Sequence, residues 1–139
     1  MESIQKLVNE MWDNVNFFTE AELQCRCGCN RAPMDNLFLM TLDEIRRDFK
    51  KPMKISSGYR CPDHPIEARK KQPGSHSTGQ AADIACAGAD ALEILRLAVA
   101  HKIITGVGVS QKTSWPHRFI HLDTVKKTEN FARPHIWSY

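Results

Sequence analysis

Apolar positions along this chain follow two different periods. Ile4, Leu7, Val8 and Met11 stand at i, i+3, i+4 and i+7, which predicts an amphipathic helix near the start. Phe17 and Phe18 precede Thr19-Glu20-Ala21-Glu22, a Thr-x-x-Glu capping box with an apolar residue before the cap. A short helix should begin there and run into a cysteine-rich loop. Asp35 reads as the next N-cap, and Phe38, Leu42, Ile45 and Phe49 continue at helical spacing, so a long helix is expected over about 36–49, with Pro52 just past its end. A third long helix should start at a cap on Asp90 and reach about His101, with Leu92, Leu95 and Val99 on its inner face.

Strand patterns occupy 53–57, 80–85, 103–109 and 117–123. Residues 61–75 hold three prolines and many charges without a period, which predicts a long surface loop of the kind that often carries function. The tail from Thr124 to Tyr139 reads as polar and irregular, with two late aromatics, Trp137 and Tyr139. Helices come mostly before the sheet, so the expected class is α+β, as a single domain over 1–139.

Composition narrows the function classes. A net charge of +3 with scattered Lys and Arg does not make a nucleic-acid footprint. No apolar run approaches the ~20 residues that span a bilayer, so no membrane insertion is expected. Residues 1–16 contain no signal-peptide core, which predicts cytoplasmic synthesis without general secretory export. Five cysteines, an odd number in an unexported chain, are expected as reduced thiols. Cys25, Cys27 and Cys29 stand in a Cys-x-Cys-x-Cys run. They read as buried or loop thiols, with a second metal as the alternative, because this run lacks the usual two-to-four-residue zinc spacing. Cys61 and Cys86 stand alone.

The chemistry concentrates in three residues. His76 and Asp83 lie in Gly74-Ser75-His76-Ser77-Thr78-Gly79-Gln80-Ala81-Ala82-Asp83, and His121 in Phe119-Ile120-His121-Leu122-Asp123. Two imidazoles and one carboxylate suit a divalent metal, best zinc, with a fourth position left for water. Gly79 lets the chain turn so that His76 and Asp83 reach one ion, and His121 joins them from a separate strand. On the last strand His117, Phe119, His121 and Asp123 share one face, which makes His117 or Asp123 the candidate general base. Asp123 alternatively orients a ligand histidine. Arg60, after Gly58-Tyr59, is a candidate clamp for a substrate carboxylate. His64, His101 and His135 carry no partner motif and read as surface residues.

Ser56-Ser57-Gly58-Tyr59-Arg60-Cys61-Pro62, the segment around His76 and Asp83, and Phe119-Ile120-His121-Leu122-Asp123-Thr124 together resemble the zinc D-Ala-D-Ala carboxypeptidase family of peptidoglycan peptidases. That family shares its metal-site fold with lysostaphin-like enzymes and the hedgehog domain. The likeness runs from about Phe17 to Asp123, and Phe18-Thr19-Glu20-Ala21-Glu22-Leu23 with the cysteine–glycine run resembles the single-domain phage and bacterial branch. The resemblance implies a small antiparallel sheet with helices mainly on one side. It implies zinc on His76, Asp83 and His121, and Arg60 near the substrate. It further implies hydrolysis of peptidoglycan stem peptides by a monomer, and a phage endolysin that reaches the wall by holin-type release. Several members carry a carboxylate base three residues before the last zinc histidine; here that position is Arg118, which cannot accept a proton, so the base falls to His117 or Asp123, or lies elsewhere, or activity is weak. The alternative is a zinc-site wall-binding module without turnover, or a structural phage component.

Overall fold

In a computed structural model describing residues 2–139, the α+β class is realised around one five-stranded sheet. The helices are α1 (Glu2–Asp13), α2 (Glu20–Leu23), α3 (Asn36–Phe49), α4 (Pro65–Ala68) and α5 (Gly88–Val99). The strands are β1 (Lys54–Ser57), β2 (Ala81–Ala85), β3 (Gly106–Ser110), β4 (Phe119–Asp123) and β5 (His135–Ser138), in the order β1-β2-β4-β3-β5. Neighbours run antiparallel except β3 and β5, so the sheet is mixed rather than purely antiparallel.

One face of the sheet is the core. Ile55, Ile84, Ile120, Leu122 and Val107 alternate inward along their strands and are buried with Phe38, Leu39, Leu42 and Ile45 of α3. The opposite parity on β2 and β4 carries Asp83, His121 and Asp123. The alternation that buries the core therefore sends the polar residues to the other face.

Local signals placed most ends of the elements. The Thr19–Glu22 capping box forms in both directions, and the Asp35 side chain accepts the Phe38 amide at 2.9 Å. α5 departs from expectation. It starts at Gly88 with Ala87 as cap, and Asp90 sits inside its first turn, ion-paired with Lys51. Its inner face is Ala91, Ile94 and Ala98, while Leu92 and Val99 are about half exposed. Alanines let the helix lie close to α3 and the sheet, which rotates the larger side chains outward. In α1, likewise, Ile4 and Leu7 of the apolar stripe are exposed, and it is Met11 and Trp12 that pack against the core.

Two further corrections bear on function. The 61–75 segment is not an unstructured loop: it contains α4, capped by His64, whose ring nitrogen accepts the Ile66 amide at 3.1 Å. The tail is not irregular either, because 135–138 joins the sheet edge as β5. His76 lies in a 3-10 turn, Ser75–Thr78, ended by Gly79 at φ +75°. A Cβ at Gly79 would overlap the Pro33 carbonyl, and the Gly79 carbonyl accepts the Asp35 amide at 2.9 Å, so only glycine fits the turn that delivers His76.

Candidate metal centre

Asp83 and His121 are directly opposed on the antiparallel β2–β4 pair, and the 3-10 turn brings His76 over them. One ligand atom from each of the three lies within 4.8 Å of the others, and all three residues are buried. His76 Nδ1 lies 2.8 Å from the Gly58 carbonyl, to which it donates, leaving Nε2 facing Asp83 Oδ1 at 3.3 Å. His121 uses the other nitrogen: Nδ1 lies 2.9 Å from Asp83 Oδ1, while Nε2 lies 2.7 Å from Asp123 Oδ2. Each imidazole thus keeps one nitrogen for the centre and commits the other to an outer partner, which fixes the tautomer a metal needs.

The carboxylates are held anionic. Burial acts to raise Asp83, but hydrogen bonds and charge from His121 and His76 outweigh it and hold the group well below the usual carboxylate range. Asp123 is lowered in the same way, against burial, by His121 and Arg133. Burial likewise works to lower His121, and its two carboxylate partners win and raise it.

Asp123 lies across the His121 ring from Asp83 and is filled on both oxygens. Oδ2 also accepts from Arg133 Nη2 at 2.7 Å; Oδ1 accepts from Arg133 Nε at 3.0 Å and the Val125 amide at 3.2 Å. This is the geometry of the ligand-orienting alternative. His117 is not brought to the ligands. It ends a 3-10 turn ahead of β4 rather than extending the strand, is exposed, and its Nδ1 lies 2.7 Å from Ser114 Oγ. Arg118 stands at the parity of Ile120, on the helix side, with Nε donating to the Thr113 carbonyl at 2.8 Å and its guanidinium over Trp115. Its charge therefore does not face the metal side.

Arg60 is brought in. Its Nη2 lies 3.8 Å from Asp83 Oδ2, Nη1 lies 3.2 Å from Glu67 Oε2, and Nε donates to Ser57 Oγ at 3.1 Å. Glu67 of α4 is the organiser here. It is fully buried, and it also accepts from the Gly74 amide at 2.7 Å and pairs with Lys70 at 3.0 Å.

Sequence patterns missed Glu67, Arg133, Trp137 and Tyr139. Trp137 packs its ring 5.0 Å from that of His121, and His135 stacks on Trp137. Tyr139 lies 5.0 Å, ring to ring, from Phe119. Gly108 makes the space: a Cβ there would stand 2.7 Å from the Trp137 indole nitrogen, and one at Gly106 would overlap the Asp123 carboxylate. The available signal was the i, i+2 aromatic pair following a polar segment, together with two glycines alternating in β3.

Asp123→Asn should weaken zinc binding by about 10–100-fold with the fold retained, because the His121 ring loses its anionic anchor and Arg133 faces an amide. Competition against a graded chelator measures this; unchanged affinity would assign Asp123 no part in orienting the ligand.

A buried two-histidine, one-carboxylate centre with both rings locked from behind is the donor set of a catalytic metal hydrolase rather than of a closed structural site. Residues 16–123 match the family described as Peptidase M15, and the chain belongs to that family of zinc peptidases. Compared with curated proteins, the chain finds no match. No helix among the described residues is long and apolar enough to cross a membrane.

Proposed function

We propose that this protein is a zinc peptidase that hydrolyses peptide bonds in peptidoglycan stem peptides at the cell wall, of the carboxypeptidase or endopeptidase type used in phage lysis. The observation that carries the reading is that the Peptidase M15 match spans all three residues of the buried cluster, His76, Asp83 and His121. Those three would hold the metal. Bound zinc supplies Lewis acidity toward the scissile carbonyl and acidifies water.

The chain's own groups do the rest. The Gly58 carbonyl and Asp123 hold the two imidazoles in register. Arg60 offsets the charge of Asp83 and, held by Glu67 and Ser57, presents its remaining N–H edge to a carboxylate or carbonyl of the stem peptide. Burial raises the Tyr139 phenol, and the nearby Asp83 carboxylate adds to this, so Tyr139 stays protonated at neutral pH and can donate to a developing oxyanion. Trp137 covers His121 from the β5 side and limits water there. With both of its oxygens taken, Asp123 serves as a positioning residue.

The test is mass spectrometry of purified peptidoglycan digested by the zinc-loaded protein beside a chelator-treated control. Chelator-sensitive fragments are expected, and their masses identify the bond: loss of D-Ala, cleavage between L-Ala and D-Glu, or opening of a cross-link. An undigested wall with zinc confirmed at the histidines would overturn the reading.

A further inference from the structure

Outside the histidine centre, the fold gathers four of the five cysteines at one point. We propose that Cys25, Cys27, Cys29 and Cys61 form a second, structural zinc site of tetrathiolate type. The four sulfurs lie within 4.8 Å of one another. Cys25 Sγ is 3.7 Å and Cys27 Sγ 3.3 Å from Cys61 Sγ. A disulfide would need about 2.05 Å. Zinc–sulfur bonds of about 2.3 Å in a tetrahedron set the sulfurs about 3.8 Å apart, within the observed spread.

The backbone explains how closely spaced cysteines converge. Gly28 at φ +101° and Asn30 at φ 56° curl the loop, and the Cys25 amide closes it on the Arg31 carbonyl at 2.7 Å. Cys61 arrives from beyond β1, so the fourth ligand is tertiary and hidden from local spacing. Its amide donates to Cys25 Sγ at 3.3 Å, so the Cys61 backbone also reaches the cluster. Arg31 lies beside Cys29 and Cys61, where its charge offsets the excess negative charge of four thiolates on one zinc.

Core packing does not account for the cluster. Cys25 and Cys61 are buried, but Cys27 is exposed and Cys29 half-buried, and an exposed thiol gains nothing by joining apolar neighbours. The site would clamp the 25–31 loop to the 58–61 segment, whose Tyr59 amide already donates to the carbonyl of Leu23, at the end of α2, at 2.8 Å. That segment supplies the Gly58 carbonyl that orients His76, and Arg60. The second zinc thus braces the first centre from behind without touching it.

The full chain carrying His76→Ala and His121→Ala, purified under reducing conditions, separates the two centres. It should retain one zinc where the wild type holds two, and cobalt added alone should give strong sulfur-to-cobalt charge-transfer absorption. Adding Cys29→Ser, at a half-exposed position that leaves the core intact, should remove most of that absorption and weaken zinc retention about tenfold or more. The proposal is overturned if the double-histidine variant holds no zinc and shows no charge-transfer band, if iron replaces zinc at the cysteines, or if mass analysis finds these thiols oxidised in pairs. A wild type with one zinc that survives loss of both histidines would instead support the cysteine site and count against the histidine centre.

Discussion

His121→Ala should strip zinc from the histidine centre and lower peptide hydrolysis by about a thousandfold or more, which corresponds to ~4 kcal/mol of lost transition-state stabilisation. The residue is 2% exposed and is the only ligand that contacts both Asp83 and Asp123, so its removal opens the centre and disconnects it from Arg133. The surroundings tolerate the loss. Asp123 keeps its two bonds to Arg133, and Asp83 keeps Arg60, so neither carboxylate is left without a cation. The chain should therefore fold, and circular dichroism should match the wild type while metal analysis and turnover fall together. His76→Ala should behave alike. Wild-type turnover from a variant whose histidine centre holds no metal would end the metallopeptidase reading.

Glu67→Gln should cost on the order of 3 kcal/mol of stability at neutral pH and should change how stability responds to acid. Burial acts to raise this carboxyl, but the Gly74 amide, Lys70 and Arg60 overcome it and lower it to about 2 from an ordinary 4.5. The folded protein therefore keeps Glu67 ionised further into acid than the unfolded chain does. Its contribution is complete above about pH 4.5 and is lost as pH falls toward about 2. Glutamine cannot titrate and leaves Arg60 with only its longer contact to Asp83 as an anionic partner. Urea unfolding of both proteins should show a wide gap near neutral pH that narrows steadily in acid. A gap that stays constant from about pH 7 to about pH 3 would remove Glu67 as the cause. Since Glu67 also aims Arg60, the variant should bind substrate more weakly, seen as a raised KM.

The clustering of His76, Asp83 and His121 was legible in the sequence because two of them sit on strands, where parity fixes direction, and the third precedes a glycine that only a tight turn requires. Helix α3 was legible end to end, because Asp35 caps it and Phe38, Leu42, Ile45 and Phe49 form one continuous stripe. β5 was not, because Ile136 faces solvent and the strand is recruited by pairing with β3 rather than by an apolar period of its own. On α5, Leu95 packs against the core as expected, but Leu92 and Val99 face out because close packing selected Ala91 and Ala98, which hydropathy ranks below leucine and valine. His117 was drawn into β4 by alternation, yet Pro116 bends the chain into a 3-10 turn just before the strand. Buried Glu67 looked like one more charge in a charged loop. Its importance arises from three partners that only the folded chain assembles.

The direct opposition of Asp83 and His121 on β2 and β4 ties assembly of the centre to assembly of the core. A slip of one residue between these strands would turn Ile84 outward and Asp83 inward, so such a slip loses the core face and the centre together. A molecule whose β2 and β4 pair in this register already holds Asp83 and His121 side by side. The histidine centre should consequently accept and release a metal without unfolding, while the cysteine loop, which has no strand pairing to preserve it, should slacken if the proposed ion is removed.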